Sequence, residues 1–169
     1  MSSPSSSVHA DVVTKRLALR PWTMSEAAAV LEDTRSPHWA HDFPADGDRV
    51  VAGLFDQYPD WLGAYGHRLI IERNSGLVVG SIGLFWPPSE GVLEIGYGVV
   101  ASRRGRGYAP EATQALAEFA LTAPEVHTVC ADVELSNPSS VRVLEKAGFH
   151  RSATEENLAK FRITSPDPR

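Results

Sequence analysis

Seven consecutive residues, Arg103-Arg104-Gly105-Arg106-Gly107-Tyr108-Ala109, have the composition of an anion-binding turn. Glycine at two positions lets the backbone turn tightly and lets amide N–H groups approach a ligand with no Cβ in the way. The segment follows a stretch that reads as a strand and opens one that reads as a helix. The helix N-terminus behind the amides then favours a negative charge. Three arginines add positive charge to a chain whose net charge is -5. The chemistry this suits is the binding of a phosphate, and a pyrophosphate would use several N–H groups at once. A Walker loop (Gly, four residues, Gly-Lys-Ser/Thr) occurs nowhere in the chain, and the dinucleotide fingerprint fails because Pro110 stands where its third glycine belongs. Taken alone, the heptapeptide is also compatible with a plain basic turn ahead of a helix.

A second segment, Asn137-Pro138-Ser139-Ser140-Val141-Arg142-Val143-Leu144-Glu145-Lys146-Ala147-Gly148-Phe149, follows the next strand. Asn137 as N-cap and Pro138 at the first helical position start a helix, and Gly148 stops it. Together the two segments resemble the GNAT superfamily of N-acetyltransferases. Arg104 to Ala109 matches that family's (Gln/Arg)-x-x-Gly-x-(Gly/Ala) pyrophosphate loop. Asn137 to Phe149 is similar to the Asn-x-x-Ser…Glu-Lys-x-Gly-Phe segment of its Rim-type branch, which includes ribosomal-protein N-terminal acetyltransferases. Thr14 to Pro21 and Glu94-Ile95-Gly96-Tyr97 resemble the first and fourth strands of that branch.

The resemblance covers roughly residues 12–164 and implies an α+β fold. Its central sheet is mixed but mostly antiparallel, splayed between its fourth and fifth strands and flanked by about four helices. It implies acetyl-CoA as cosubstrate and a primary amine as acceptor. The Val99 and Val100 backbone would meet the acetyl and pantetheine portions. The amides of Gly105, Arg106, Gly107, Tyr108 and Ala109, with Arg104, would hold the pyrophosphate, and Asn137 and Ser140 would touch the pantetheine near the sulfur.

The implied reaction is attack of a neutral amine on a thioester. A lysine-like amine, of pKa about 10.4, must lose a proton first. Glu94 is the candidate base, directly or through water; an exposed strand glutamate or an arginine's partner is its structural alternative. Asp132 and Glu134, on one face of the neighbouring strand, are second choices. Many superfamily members carry a tyrosine as general acid four residues before the glycine that ends the last helix. Here that position is Leu144, which cannot donate a proton, and Ser140 is the nearest substitute. Tyr97 is expected to pack and Tyr108 to cover the cofactor loop. The acceptor is a peptide N-terminus or a small molecule such as a polyamine, aminoglycoside or amino acid. A non-catalytic acetyl-CoA sensor and a generic nucleotide-binding domain are the competing functional classes.

The positioning elements can be read from periodicity. Residues 12–20 alternate as a first strand. Thr23 and Glu26 have capping-box spacing ahead of an alanine-rich helix to about Asp33. A second helix is expected from Gly47 to about Gln57, capped by Asp46, with Val50, Leu54 and Tyr58 on one face. Strands follow over 67–73, 77–86 and 92–100, joined by turns at Asn74-Ser75-Gly76 and residues 87–91. Then come a helix from Tyr108 to Leu121, a strand over 126–135, a helix from Pro138 to Lys146 and a hairpin of 149–153 with 158–164. The loop from Arg35 to Ala45 either lines the acceptor site or plugs the core edge with its aromatics. His38 and His41 lack a third ligand nearby, so no metal is expected.

A length of 169 residues suits one domain, expected over 11–169 behind a flexible, serine-rich tail at 1–10. The acidic balance argues against a nucleic-acid partner. No apolar run spans a membrane, no signal-peptide core is present, and one cysteine excludes an internal disulfide; together these favour the cytoplasm. Cys130 is expected as a small buried hydrophobe. Trp39, Trp61 and Trp86 are candidates for a homodimer interface or the acceptor pocket, with core packing the alternative for Trp86.

Overall fold

The computed structural model describes residues 10–165, so the expected N-terminal tail lies outside the described residues except for Ala10. The first predicted strand is in fact a hairpin of β1 (Val12–Val13) and β2 (Leu17–Pro21), with Val12 opposite Leu19. Thr14 makes the difference. Its N–H donates to the Leu17 carbonyl (2.8 Å) and its hydroxyl accepts from the Leu17 N–H (3.0 Å), closing a turn inside what reads as alternation.

Helix α1 (Met24–Leu31) starts at the expected capping box: the Thr23 hydroxyl accepts from the Glu26 N–H, and the Glu26 carboxylate accepts from the Thr23 N–H. Helix α2 (Asp46–Ala52) is shorter than expected and is not capped by Asp46. Ala45 holds the cap position, and Asp48 reaches back to accept from its N–H at 2.8 Å. Val50, expected on a shared apolar face, is 62% exposed.

Strands β3 (His67–Glu72), β4 (Val78–Leu84) and β5 (Val92–Val99) form a meander, followed by α3 (Tyr108–Ala120), β6 (Thr128–Glu134), α4 (Pro138–Lys146), β7 (His150–Glu155) and β8 (Leu158–Thr164). The eight strands make one sheet in the order β1-β2-β3-β4-β5-β6-β8-β7. All neighbours are antiparallel except β5 and β6, which pair in parallel only at Val92, Leu93 and Glu94. Beyond Glu94 the two strands part. This is the expected splay, one strand later in the count because the first strand is two.

Alternation gives the sheet two distinct faces. Arg68, Ile82 and Tyr97 share the face under α3 and α4: the Arg68 guanidinium lies 5.1 Å from the Phe119 ring, and the Tyr97 hydroxyl donates to the Ser140 carbonyl. His67, Ser81, Gly83, Gly96 and Gly98 share the other, where Ser81 donates to Asp48 of α2 and His67 packs against Phe55 and Trp61. No helix among the described residues is long and apolar enough to cross a membrane.

Close approach of β4 and β5 demands glycine at one position. A Cβ on Gly80 would meet the Gly98 carbonyl oxygen at 2.2 Å, whereas a Cβ on Gly98 enters open space. Gly80→Ala is therefore expected to cost about 2 kcal/mol, in the range of overpacked cores. Gly98→Ala should stay within about 0.5 kcal/mol of wild type. Urea unfolding of the two variants checks this; equal midpoints would contradict the tight spacing at Gly80.

Candidate functional site

The site begins with the direction of backbone groups on β5. Glu94 accepts from Phe85 and Val100 donates to Val79 at 2.9 Å, so even-numbered residues of this strand turn their N–H and C=O toward β4. Tyr97 and Val99 consequently aim theirs at the opening beside β6. An extended ligand could add there as one more strand. The Val99 carbonyl already accepts from Arg104 Nε at 2.9 Å. Val100, expected beside Val99, has its amide committed to β4 and does not line the cleft. The alternation allows only one of the two.

The chain then makes a 3-10 turn, Ala101–Arg103, and the two-glycine loop. Gly105 and Gly107 have φ of 80° and 82°, the left-handed region that glycine enters at no steric cost. Gly107 is the N-cap of α3 and supplies no side-chain cap. Among the described residues, no acceptor takes the N–H groups of Gly105 to Ala109, which leaves a cluster of donors at a helix N-terminus.

Across the opening, Asn137 caps α4 by accepting from the Ser140 N–H (3.3 Å) and the Ser139 hydroxyl (3.0 Å). Between these walls lies a cleft of about 490 Å³. Val99, Arg104, Gly105, Gly107, Tyr108, Ala109, Asn137 and Ser140 line it; Arg106 does not. A second cavity of about 320 Å³ occupies the splay itself and shares Tyr97, Asn137 and Ser140 with the first.

The loop's arginines are arranged differently from the simple expectation of free positive charge. Arg103 and Arg106 pair with the buried Glu72 at 3.2 and 3.5 Å, and Arg104 is drawn to the Val99 carbonyl. Tyr108, expected to cover the loop, is buried beneath it and donates its hydroxyl to Glu72 at 2.6 Å. Burial pushes the Glu72 carboxyl up, but bonds from Ser75 and Tyr108 and the Arg103 charge outweigh it and hold the group below the ordinary glutamate value.

Arg142 and Lys146 of α4 also line the cleft and have no acidic partner among the described residues. As exposed positions on a short helix they carry no signal in the sequence. Asp42 was also missed. It accepts from the Ser102 N–H and hydroxyl, both at 2.8 Å, tying the 35–45 loop to the cleft's entrance. Trp39 and Phe43 of that loop are buried, plugging the core edge.

Glu94, the candidate base, does not line either cavity and stands on the opposite face of β5 with Gly96 and Gly98. Partial burial and then the Asp132 charge push its carboxyl above the ordinary value. Asp132 and Glu134 line the splay cavity. Cys130 sits opposite Glu94 and is half-buried, not a core residue as expected; burial and the two carboxylates push its thiol up. Leu144, at the usual tyrosine position, is fully buried, while Ser140 opens into both cavities. Tyr97 also opens into both, and burial raises its hydroxyl, keeping it protonated at neutral pH. Of the tryptophans considered for an interface, Trp39 and Trp61 are buried, and Trp86 is half-buried and stacked 5.3 Å from Tyr65. No group of three His, Cys, Asp or Glu among the described residues could hold a metal ion.

Residues 16–150 match the family model of the acetyltransferase (GNAT) domain. An uncharacterized N-acetyltransferase, YjdG, of Bacillus subtilis is 37% identical over 50% of this chain and 53% of its own. The chain spans about half the length of the first curated relatives it matches. Another from that organism, YnaD, is 30% identical over 83% of this chain and 82% of its own. A GNAT-family acetyltransferase structure from Bacillus anthracis superposes with a TM-score of 0.66, covering 91% of this chain and 98% of its own at 21% identity, a likeness of fold.

The pairing of Glu94 with Asp132 can be tested directly. Removing a neighbouring negative charge eases ionisation, so Asp132→Asn should lower the Glu94 pKa. Carboxyl NMR titration reads the midpoint, and an unchanged value would reject the coupling.

Proposed function

The chain belongs to the GNAT acetyltransferase family, and we propose from that premise that it transfers an acetyl group from acetyl-CoA to a primary amine. The observation that carries this reading is the continuity of the cleft. One cleft is lined by Tyr97 and Val99 and also by Gly105, Gly107, Tyr108 and Ala109, whose N–H groups find no acceptor among the described residues. A ligand with an amide-bearing arm and a pyrophosphate has partners for both ends.

In this reading Val99 meets the pantetheine as an added strand would. The amides at the start of α3 take the pyrophosphate, with Arg104, Arg142 and Lys146 within the same cleft. The thioester end enters the splay near Asn137 and Ser140. The amine approaches from the opposite face of β5, where Gly96 and Gly98 present no side chain and Glu94 stands with Asp132. Glu94 takes the proton of the ammonium, directly or through water. The amine nitrogen then attacks the thioester carbonyl, and the Val99 N–H steadies the oxyanion. The C–S bond breaks as Ser140 or Tyr97 gives its proton to the departing sulfur, and the proton that the attacking nitrogen sheds to become a neutral amide restores that hydroxyl. In keeping with the Rim-type resemblance, the acceptor is a peptide N-terminus.

Amine-dependent release of CoA thiol tests the reading, with N-terminal peptides, lysine peptides, polyamines, amino acids and aminoglycosides as acceptors. Release with peptides is expected; release only with small amines would move the assignment to them. Acetyl-CoA binding with no release across the panel would support a sensor. Gly107→Glu, which fills and charges the loop, should abolish acetyl-CoA binding. Glu94→Gln should lower turnover about 100-fold, the scale of general-base catalysis, and leave acetyl-CoA binding intact. The wild-type rate should fall as pH drops through the raised Glu94 pKa, and that limb should vanish in the variant.

A further inference from the structure

Glu72 is the last residue of β3, 31 positions or more before the loop it touches, and only 4% exposed. One of its oxygens, Oε2, accepts from Arg103 (3.2 Å), Arg106 (3.5 Å) and the Tyr108 hydroxyl (2.6 Å). These donors lie before, within and after the segment that holds both left-handed glycines. The other oxygen accepts from Ser75 at 2.6 Å, in the turn that follows β3, where the Glu72 carbonyl takes the Gly76 N–H and its own N–H donates to Leu77. The clamp is thus anchored to the sheet, while the loop it grips has the backbone freedom of two glycines.

We propose that Glu72 is the positioning residue of the pyrophosphate loop, a clamp that holds the loop's amides convergent before the ligand arrives. The inference rests on the acetyl-CoA reading above. A carboxylate beneath an anion site would by itself repel a phosphate, but here its charge is balanced by Arg103 and Arg106. Pre-ordering the donors then outweighs the repulsion, because donors already aimed need not be ordered on binding. Asp42 extends the same bracing from the other side through Ser102, whose hydroxyl also accepts from Arg103 at 3.3 Å.

The test compares acetyl-CoA with acetyl-pantetheine, which has the thioester arm and no pyrophosphate. In Glu72→Gln and Glu72→Ala the KM for acetyl-CoA should rise roughly 10-fold, the scale of one charge-assisted hydrogen bond, with kcat at saturation retained. kcat/KM for acetyl-pantetheine should stay near wild type, and this also reports that the variants are folded. If the alanine variant does not fold, the near-isosteric glutamine variant decides. Equal losses with both donors, or unchanged or tighter acetyl-CoA binding, would overturn the clamp and leave the acetyltransferase reading standing. A wild-type protein with no preference for acetyl-CoA over acetyl-pantetheine would overturn the pyrophosphate assignment itself, and the clamp with it.

Discussion

Beyond Glu94, the N–H and C=O groups of β5 that face β6 have no strand to bond. Buried backbone polar groups demand partners, so two neighbouring strands that part in mid-sheet need a structural reason to stay apart. Here the reasons are at hand. Helix α4 starts at Asn137, immediately beyond β6, and the Tyr97 hydroxyl reaches from β5 to its first turn at Ser140. Arg104 folds back onto the Val99 carbonyl and satisfies one group. The glycine loop, the capped helix and both cavities all take their places around this parting.

The electrostatics are layered in the same way. The protein is acidic as a whole, yet the cleft wall carries Arg104, Arg142 and Lys146. Glu72 accepts from the loop's own donors, and Asp42 accepts from Ser102 just before it. Glu111 does likewise one turn into α3, accepting from Thr14 and Arg16, while Arg16 donates to the Arg106 carbonyl at 2.7 Å. The N-terminal hairpin is therefore part of the scaffold under the loop. On the far face, partial burial and the Asp132 charge push the Glu94 carboxyl above its ordinary value.

What was legible in the sequence is what local chemistry determines. Two glycines beside arginines at a strand-to-helix junction, and Asn-Pro at a helix start, announce themselves without tertiary information. So does the Thr23 capping box. What was not legible depends on distant partners. Glu72 reads as any glutamate at a strand end until the fold brings residues 103–108 over it. Thr14 looks like one step in an alternating strand, though its side chain closes a turn. Val99 and Val100 look equivalent, and only the pairing of β5 with β4 decides which faces the opening. Arg142 and Lys146 read as solvent positions because the wall they complete is made by another segment.

The parallel contact of β5 with β6 involves three residue pairs, extended at its closed end by the His127 and Thr128 N–H groups, which both donate to the Gly91 carbonyl. The strands β1 to β5 and β6 to β8 meet within the sheet along this short seam, and α3, α4 and one shared core bridge them. The gap is a wedge, closed where three pairs hold it and open toward the glycine loop, so a linear guest laid along it would find backbone partners over its open length alone.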